Sequence, residues 1–321
     1  MKNKIYSFLA VAAALLLLVP GATGCSQSEA PVSEDGRTLT VVTTLFPQYD
    51  FARQLAGEKG EVSLLLPPGV ESHNFEPTPA DIINIEKADL FIYTGEEMEP
   101  WAKSIIDGIT GDVKIVDVSQ NIALVKTQEE PLAQEEHAKE DQIHVHEYDP
   151  HFWTDPVLAK TMVSTIQEAF CEVDELNASY YKANGEAYQA RLDQLNEKFQ
   201  TIVSEGKRKK MIFGGKFPFY YFAARYGLAY DAAYDNCSGE TEPSVRKVAQ
   251  LIDEIRSEEI PVVYYEELTD PKVARSISEE TGAEMLLFHS CHNVSKEQFN
   301  QGITYLDLME QNAENLKKGL N

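Results

Sequence analysis

Cysteine is scarce in this 321-residue chain: there are four, with no CxxC pair among them. That excludes a disulfide scaffold, a zinc ribbon and a CxxC redox centre. Basic side chains are also short, 28 Lys+Arg against 52 Asp+Glu, for a net charge of −24. Such a field repels nucleic acid and anionic headgroups and draws cations without choosing among them. The one long apolar run, Ile5 to Val19, falls short of the about 20 residues that a spanning helix requires. What remains is 43% hydrophobic and 10% aromatic, which is enough for substantial cores. At roughly 150 residues per domain, the length suggests two domains.

The first residues read as an address. Met1 to Lys4 is short and basic, and the apolar run that follows contains Leu15-Leu16-Leu17-Leu18. It ends in Pro20-Gly21-Ala22-Thr23-Gly24-Cys25, small residues that mark a cleavable signal peptide. With a cysteine directly after Ala-Thr-Gly, the segment resembles a bacterial lipobox, which implies cleavage before Cys25 and lipidation there. Losing Lys2 and Lys4 with residues 1–24 takes the net charge from −24 to −26. Residues 25–38 are polar, lack periodicity and read as a tether.

Beyond the tether, strands alternate with helices twice. Leu39–Leu45, Glu61–Leu66, Ala88–Tyr93 and Val113–Val118 are short runs rich in Val, Leu and Ile, as buried strands are. A second set follows at Lys210–Phe213, Leu228–Tyr234, Ile260–Tyr265 and Ala283–Phe288. Helices open at Thr78-Pro79, Asp155-Pro156 and Asp270-Pro271, where a cap residue precedes proline. In the second half, helices are expected at 243–257, 271–281 (the one opening at Asp270-Pro271) and 296–319, the last with Ser295 and Gln298 at capping-box spacing. Alternation of this kind implies parallel sheets covered on both faces. Residues 156–206 have no strand signal, and Tyr181, Tyr188, Leu192, Leu195, Phe199 and Ile202 recur near helical spacing. The fold class is therefore α/β: two α/β lobes, 39–155 and 207–321, each with a mostly parallel four-stranded sheet. The connecting helical region 156–206 bridges them.

Seven histidines are present, and three stand where an open α/β sheet places ligands, beyond the carboxyl ends of strands. His73 follows the strand at 61–66, His289 ends the strand at 283–288, and His151 lies just before the helix start at Asp155-Pro156. Three neutral imidazoles converging there suit Zn²⁺, whereas Mn²⁺ wants more carboxylate oxygens. His137, His144 and His146 belong instead to an acidic, polar stretch, 129–147. It reads either as a solvated loop or as a low-affinity metal-collecting loop, and His144-Val145-His146 beside Glu147 favours collection.

These residues carry a resemblance. Pro67-Pro68-Gly69…His73…Phe75-Glu76-Pro77-Thr78-Pro79 and Asp149-Pro150-His151-Phe152-Trp153-Thr154-Asp155-Pro156 are part of it. So are Tyr221-Phe222-Ala223-Ala224-Arg225-Tyr226-Gly227-Leu228 and Glu242-Pro243-Ser244. Over nearly all of the mature sequence, the chain resembles the zinc- and manganese-binding solute-binding lipoproteins of bacterial ABC importers. The resemblance implies two lobes bridged by one long rigid helix, with the metal held between them. It also implies a lipid-anchored, extracytoplasmic, monomeric receptor that hands Zn²⁺ to an ABC permease and is not an enzyme.

Family members draw ligands from four positions. The first two carry over onto His73 and His151, and the fourth, normally an acid, falls on His289. The third falls on Lys216, whose ammonium has no lone pair to give. The expected metal set is therefore His73, His151 and His289, with water or one further group. Glu266, Glu240 and His292 are candidates for that group, each also readable as a surface or supporting side chain. Cys171 reads as a buried small hydrophobe, while Cys237 and Cys291 pair in a disulfide or offer a thiolate ligand. Gly214-Gly215-Lys216 lacks the full phosphate-loop pattern. Three rival readings stay open: a manganese receptor, a hydrolytic zinc enzyme with a three-histidine site and a bound water, and an adhesin with a structural metal.

Overall fold

The computed structural model describes residues 38–70, 75–126, 148–234 and 243–321. The leader, Cys25, His73, the stretch 129–147 with His137, His144 and His146, and Cys237 and Glu240 lie outside the described residues. No described helix is long and apolar enough to cross a membrane.

Among the described residues, eight short strands form two sheets. The first holds β1 (Leu39–Thr43), β2 (Gly60–Leu64), β3 (Leu90–Tyr93) and β4 (Lys114–Asp117). The second holds β5 (Lys210–Phe213), β6 (Ala229–Ala232), β7 (Val262–Tyr265) and β8 (Glu284–Leu287). Every pairing is parallel, and the orders are β2-β1-β3-β4 and β6-β5-β7-β8. The two lobes therefore share one strand order although they share no sequence repeat. In each, the order reverses beside the first strand of the set, and the crevice opens beyond the carboxyl ends of the strands flanking that point.

In the first lobe, α1 (Phe46–Ala56), α2 (Pro79–Lys87) and α3 (Pro100–Ile106) connect the strands. Two helices, α4 (Pro156–Val173) and α5 (Ala178–Glu205), then cross to the second lobe. There follow α6 (Tyr220–Tyr226), α7 (Val245–Ser257), α8 (Lys272–Thr281), α9 (Lys296–Asn300) and α10 (Tyr305–Leu320). Two of the expected starts hold: Thr78 and Asp81 form a capping box, and Asp155 accepts from the backbone of α4. The third does not, because α8 begins at Lys272 with Pro271 at the cap position and no side-chain cap from Asp270; Ser244 caps α7. The single helix expected at 296–319 is instead two. Gly302 takes φ +71°, and Thr304 with Asp307 forms a second capping box that starts α10 afresh.

The core does not divide with the sheets. One cluster runs from Phe51 under the first sheet through Phe170, Tyr188 and Phe199 on the crossing helices to Phe222 and Phe288 in the second lobe. Two smaller clusters cover the outer sheet faces, around Phe91 and Ile85 in the first lobe and around Leu251 and Ile277 in the second. α5 has 28 residues, about 42 Å at 1.5 Å per residue, and it buries Leu192, Leu195 and Phe199 along the face that the periodicity marks.

A buried polar joint reinforces that packing. Asp50 of α1 is fully buried; its Oδ1 accepts from Arg53 Nε at 2.8 Å, and its Oδ2 accepts from Tyr188 Oη at 3.1 Å and Tyr305 N at 2.8 Å. One carboxylate thus ties the first lobe, the bridge and the start of α10. Arg53 also donates to the carbonyls of Gly302 and Ile303 at the break before α10.

Candidate metal centre

In the first lobe, the switch point lies between the ends of β1 and β3 and is filled by protein. Thr44 Oγ1 donates to Glu99 Oε1 at 2.5 Å, and Thr94 donates to the same carboxylate from its amide at 3.0 Å and its hydroxyl at 2.9 Å. Burial nevertheless pushes the Glu99 carboxyl up to about 7, because removing the charge from water outweighs these hydrogen bonds. The residues available to an ion come from the loops around this plug.

His151 precedes a tight turn, Phe152–Thr154, which feeds α4 through the Asp155 cap and Pro156. Its ring is almost wholly buried. Asp149 Oδ1 accepts from the His151 amide at 2.8 Å and sits 2.9 Å from ring Nδ1. A carboxylate can only accept, so Nδ1 carries the proton and Nε2 the lone pair, the orientation seen in metal-ligating histidines.

The loop after β8 carries the other two imidazoles. Asn312 brackets the backbone of His289, accepting from its N–H at 2.7 Å and donating to its carbonyl at 2.8 Å. Cys291 takes φ +62°, and this left-handed step turns the chain so that His292 meets the first lobe while His289 points back. The His292 and His151 rings lie 4.6 Å apart and nearly perpendicular, with Trp153 5.0 Å from His292. Trp153 Nε1 in turn donates to the Ser290 carbonyl at 2.8 Å, tying the two histidine loops together.

His289 is placed differently. Its Nδ1 accepts the Cys291 N–H at 3.0 Å, so the neutral ring keeps its proton on Nε2, which is buried without a hydrogen-bond partner among the described residues. Burial lowers its pKa from the ordinary imidazole range, against an opposing pull from Glu267. Its lone pair is engaged by the backbone, and a metal at Nε2 would first have to displace a proton. Among the described residues, no three His, Cys, Asp or Glu side chains gather to hold an ion. His151, His289 and His292 therefore do not form one site; His151 and His292 are brought together.

Lys216 and Glu266 occupy the second lobe's switch point, beyond β5 and β7. Burial raises the Glu266 carboxyl, while backbone hydrogen bonds and the Lys216 ammonium pull it back down. Its Oε2 is buried with no hydrogen-bond partner among the described residues. A Cβ at Gly215 would lie 1.8 Å from that oxygen, and one at Gly214 would lie 2.4 Å from Ala274 Cα. The Gly-Gly pair is thus explained by close packing and not by phosphate.

Cys291 is a free thiol among the described residues, fully buried in the main core, while Cys237, its expected partner, lies outside them. Burial also raises the Cys291 pKa well above the ordinary value, so it offers no ready thiolate. Cys171 is a half-buried free thiol, less enclosed than expected.

Reading by residue type alone did not find Asp149, Glu267, Ser290 and Asn293, which hold the histidine loops. The acidic-His pairing at Asp149-Pro150-His151 was a usable signal; the others come together only through the fold.

Two parallel α/β lobes of one strand order, crossed by a long helix and bringing paired imidazoles to their junction, define a two-lobed binding protein. The family model for ZnuA, the periplasmic component A of zinc-uptake complexes, matches residues 41–319, and the chain belongs to that family. The chain is 37% identical over 318 residues to the high-affinity zinc uptake system protein ZnuA of Bacillus subtilis, covering 99% of this chain and 98% of that one. It is 31% identical over 323 residues to the zinc-binding lipoprotein AdcA of Streptococcus pneumoniae, covering 98% of this chain but 61% of that longer protein. The crystal structure of the metal-dependent lipoprotein YcdH from Bacillus subtilis superposes with a TM-score of 0.75 at 34% identity, covering 88% of this chain and 99% of that one.

Proposed function

We propose that this chain captures Zn²⁺ between its lobes with His73, His151 and His292, and delivers it to an ABC permease. The observation that carries the reading is the His151–His292 pair, rings 4.6 Å apart, each with a hydrogen-bonded Nδ1 that leaves Nε2 to the ion. His292 replaces His289 in the expected set because the His289 lone pair is already taken by the Cys291 amide. Neutral imidazoles favour zinc over manganese, in keeping with the zinc relatives, and Lys216 supplies no lone pair. The lipobox at Cys25 anchors the receptor as a monomer on the outer face of the membrane. The acidic stretch 129–147 collects metal for the site.

Titration calorimetry of the mature chain with Zn²⁺ and with Mn²⁺ tests this. His73→Ala, His151→Ala and His292→Ala should each weaken zinc binding by at least about 100-fold, the cost of one ligand at roughly 3 kcal/mol. His289→Ala should bind within a few-fold of the parent. Loss in His289→Ala with retention in His292→Ala would return the ligand role to His289. Tight Mn²⁺ binding that zinc does not displace would overturn the choice of metal.

A further inference from the structure

Glu267 follows directly on Glu266 beyond β7, and its carboxylate receives both donors of one residue. Ser290 N donates to Oε2 at 2.7 Å, and Ser290 Oγ donates to Oε1 at 2.5 Å. A serine hydroxyl has one proton and two lone pairs. With its proton committed to Glu267, Ser290 Oγ can only accept from its other neighbours. Those neighbours are the His292 amide, at 3.3 Å, and His292 Nδ1, at 2.8 Å. The count closes: one donation, two acceptances. His292 Nδ1 must therefore carry the ring proton, which leaves the lone pair of the neutral ring on Nε2.

We propose that Glu267 is a positioning residue for zinc, acting through the Ser290 hydroxyl to fix the tautomer and ring orientation of His292 before the ion arrives. The proposal rests on His292 being a ligand. It adds a group that never touches the metal, five-and-twenty residues away in sequence. The same logic operates on His151 through Asp149 directly, so the two imidazoles are prepared by different devices: one carboxylate in contact, one relayed. The Ser290 hydroxyl spans the gap between Glu267 and the His292 ring, and the Ser290 amide anchors the same acid.

Glu267→Gln keeps the shape but exchanges an obligate acceptor for an amide that can also donate. Ser290→Ala removes the relay, and Ser290→Thr restores a hydroxyl. Supporting groups of this kind typically contribute 10–100-fold to metal affinity, so Ser290→Ala and Glu267→Gln should bind zinc about 10–100-fold more weakly, with Ser290→Thr recovering most of the loss. Nitrogen-15 shifts of His292 in the metal-free parent chain give a readout that needs no variant and that mere structural support would not produce. They should show the proton on Nδ1, with redistribution toward Nε2 in Ser290→Ala. A parent chain with the proton on Nε2 overturns the proposal. So does full zinc affinity in Ser290→Ala and Glu267→Gln when His292→Ala loses it. Unchanged affinity in His292→Ala overturns instead the site assignment beneath, while the tautomer result still judges the relay.

Discussion

Asn293 offers the sharpest test of how the lobes cooperate. Its side chain is buried, and both hydrogens of its amide cross to the first lobe, to the Pro67 carbonyl at 2.8 Å and the Val70 carbonyl at 2.9 Å. His73 lies three residues beyond Val70 in the chain, and His292 directly precedes Asn293. The clasp therefore links the two segments that bear proposed ligands. Asn293→Ala deletes the two cross-lobe hydrogen bonds, worth about 1 kcal/mol each, and the bond its Oδ1 accepts from Val294 N at 2.8 Å. The Pro67 carbonyl keeps the Val70 N–H and the Val70 carbonyl is left to water, a total of about 2–3 kcal/mol. The backbone bond from Gly69 N to the Val294 carbonyl, 2.8 Å, survives in the variant. If the clasp docks the loop, the loss appears twice: in urea unfolding of the metal-free chain, and as zinc affinity lower by up to about 30–150-fold. Asn293→Asp should be worse than alanine, because it turns an acceptor toward two carbonyls. Stability within about 0.5 kcal/mol of the parent together with affinity within threefold would refute the reasoning.

Three further outcomes follow from buried groups. The Glu99 carboxyl is raised from 4.5 to about 7 in the fold, so between those values the native state holds a proton that the unfolded chain has released. Its contribution to stability falls as pH rises through that window, by about 3 kcal/mol in all; the urea stability of Glu99→Gln relative to the parent should improve by that order between pH 4.5 and 7.5, and a difference independent of pH would contradict it. Gly215→Ala should destabilise by about 1–3 kcal/mol, since the new Cβ meets Glu266 Oε2. In a denaturation cycle Glu266→Ala should relieve much of that cost, and strict additivity would count against the contact. Cys291, buried and with its thiol raised, should react with thiol reagents only on unfolding; labelling of Cys291 in the native protein would refute its burial.

The strands were legible because short runs of Val, Leu and Ile have few other uses, although β1 and β2 end before the buried Leu45 and Leu66. Helix starts with a side-chain cap were legible too. α1 was not, because its N-cap is Leu45 with no side-chain cap bond, and α3 and α6 have only seven residues each. The split of the last helical region was written in Gly302 and in Thr304 with Asp307, but the apolar periodicity of the flanks masked it. At the site, residue types and strand ends pointed to the loops that carry His151, His289 and His292. The choice between His289 and His292 turned on a left-handed backbone at Cys291, a conformation a cysteine side chain does not announce. Once the chain bends there, Glu267 and Ser290 meet one imidazole and the Cys291 amide meets the other.

The continuous apolar cluster from Phe51 to Phe288 bears on what fragments of this gene would yield. Cut at the bridge, either half would expose the rings that the other half covers: Phe199 and Tyr188 stripped from one side, Phe222 and Phe288 from the other. Each half possesses a complete sheet, yet neither product would be soluble by itself. Co-expression of the two pieces, each hiding the other's apolar face, is the condition under which a split version would assemble.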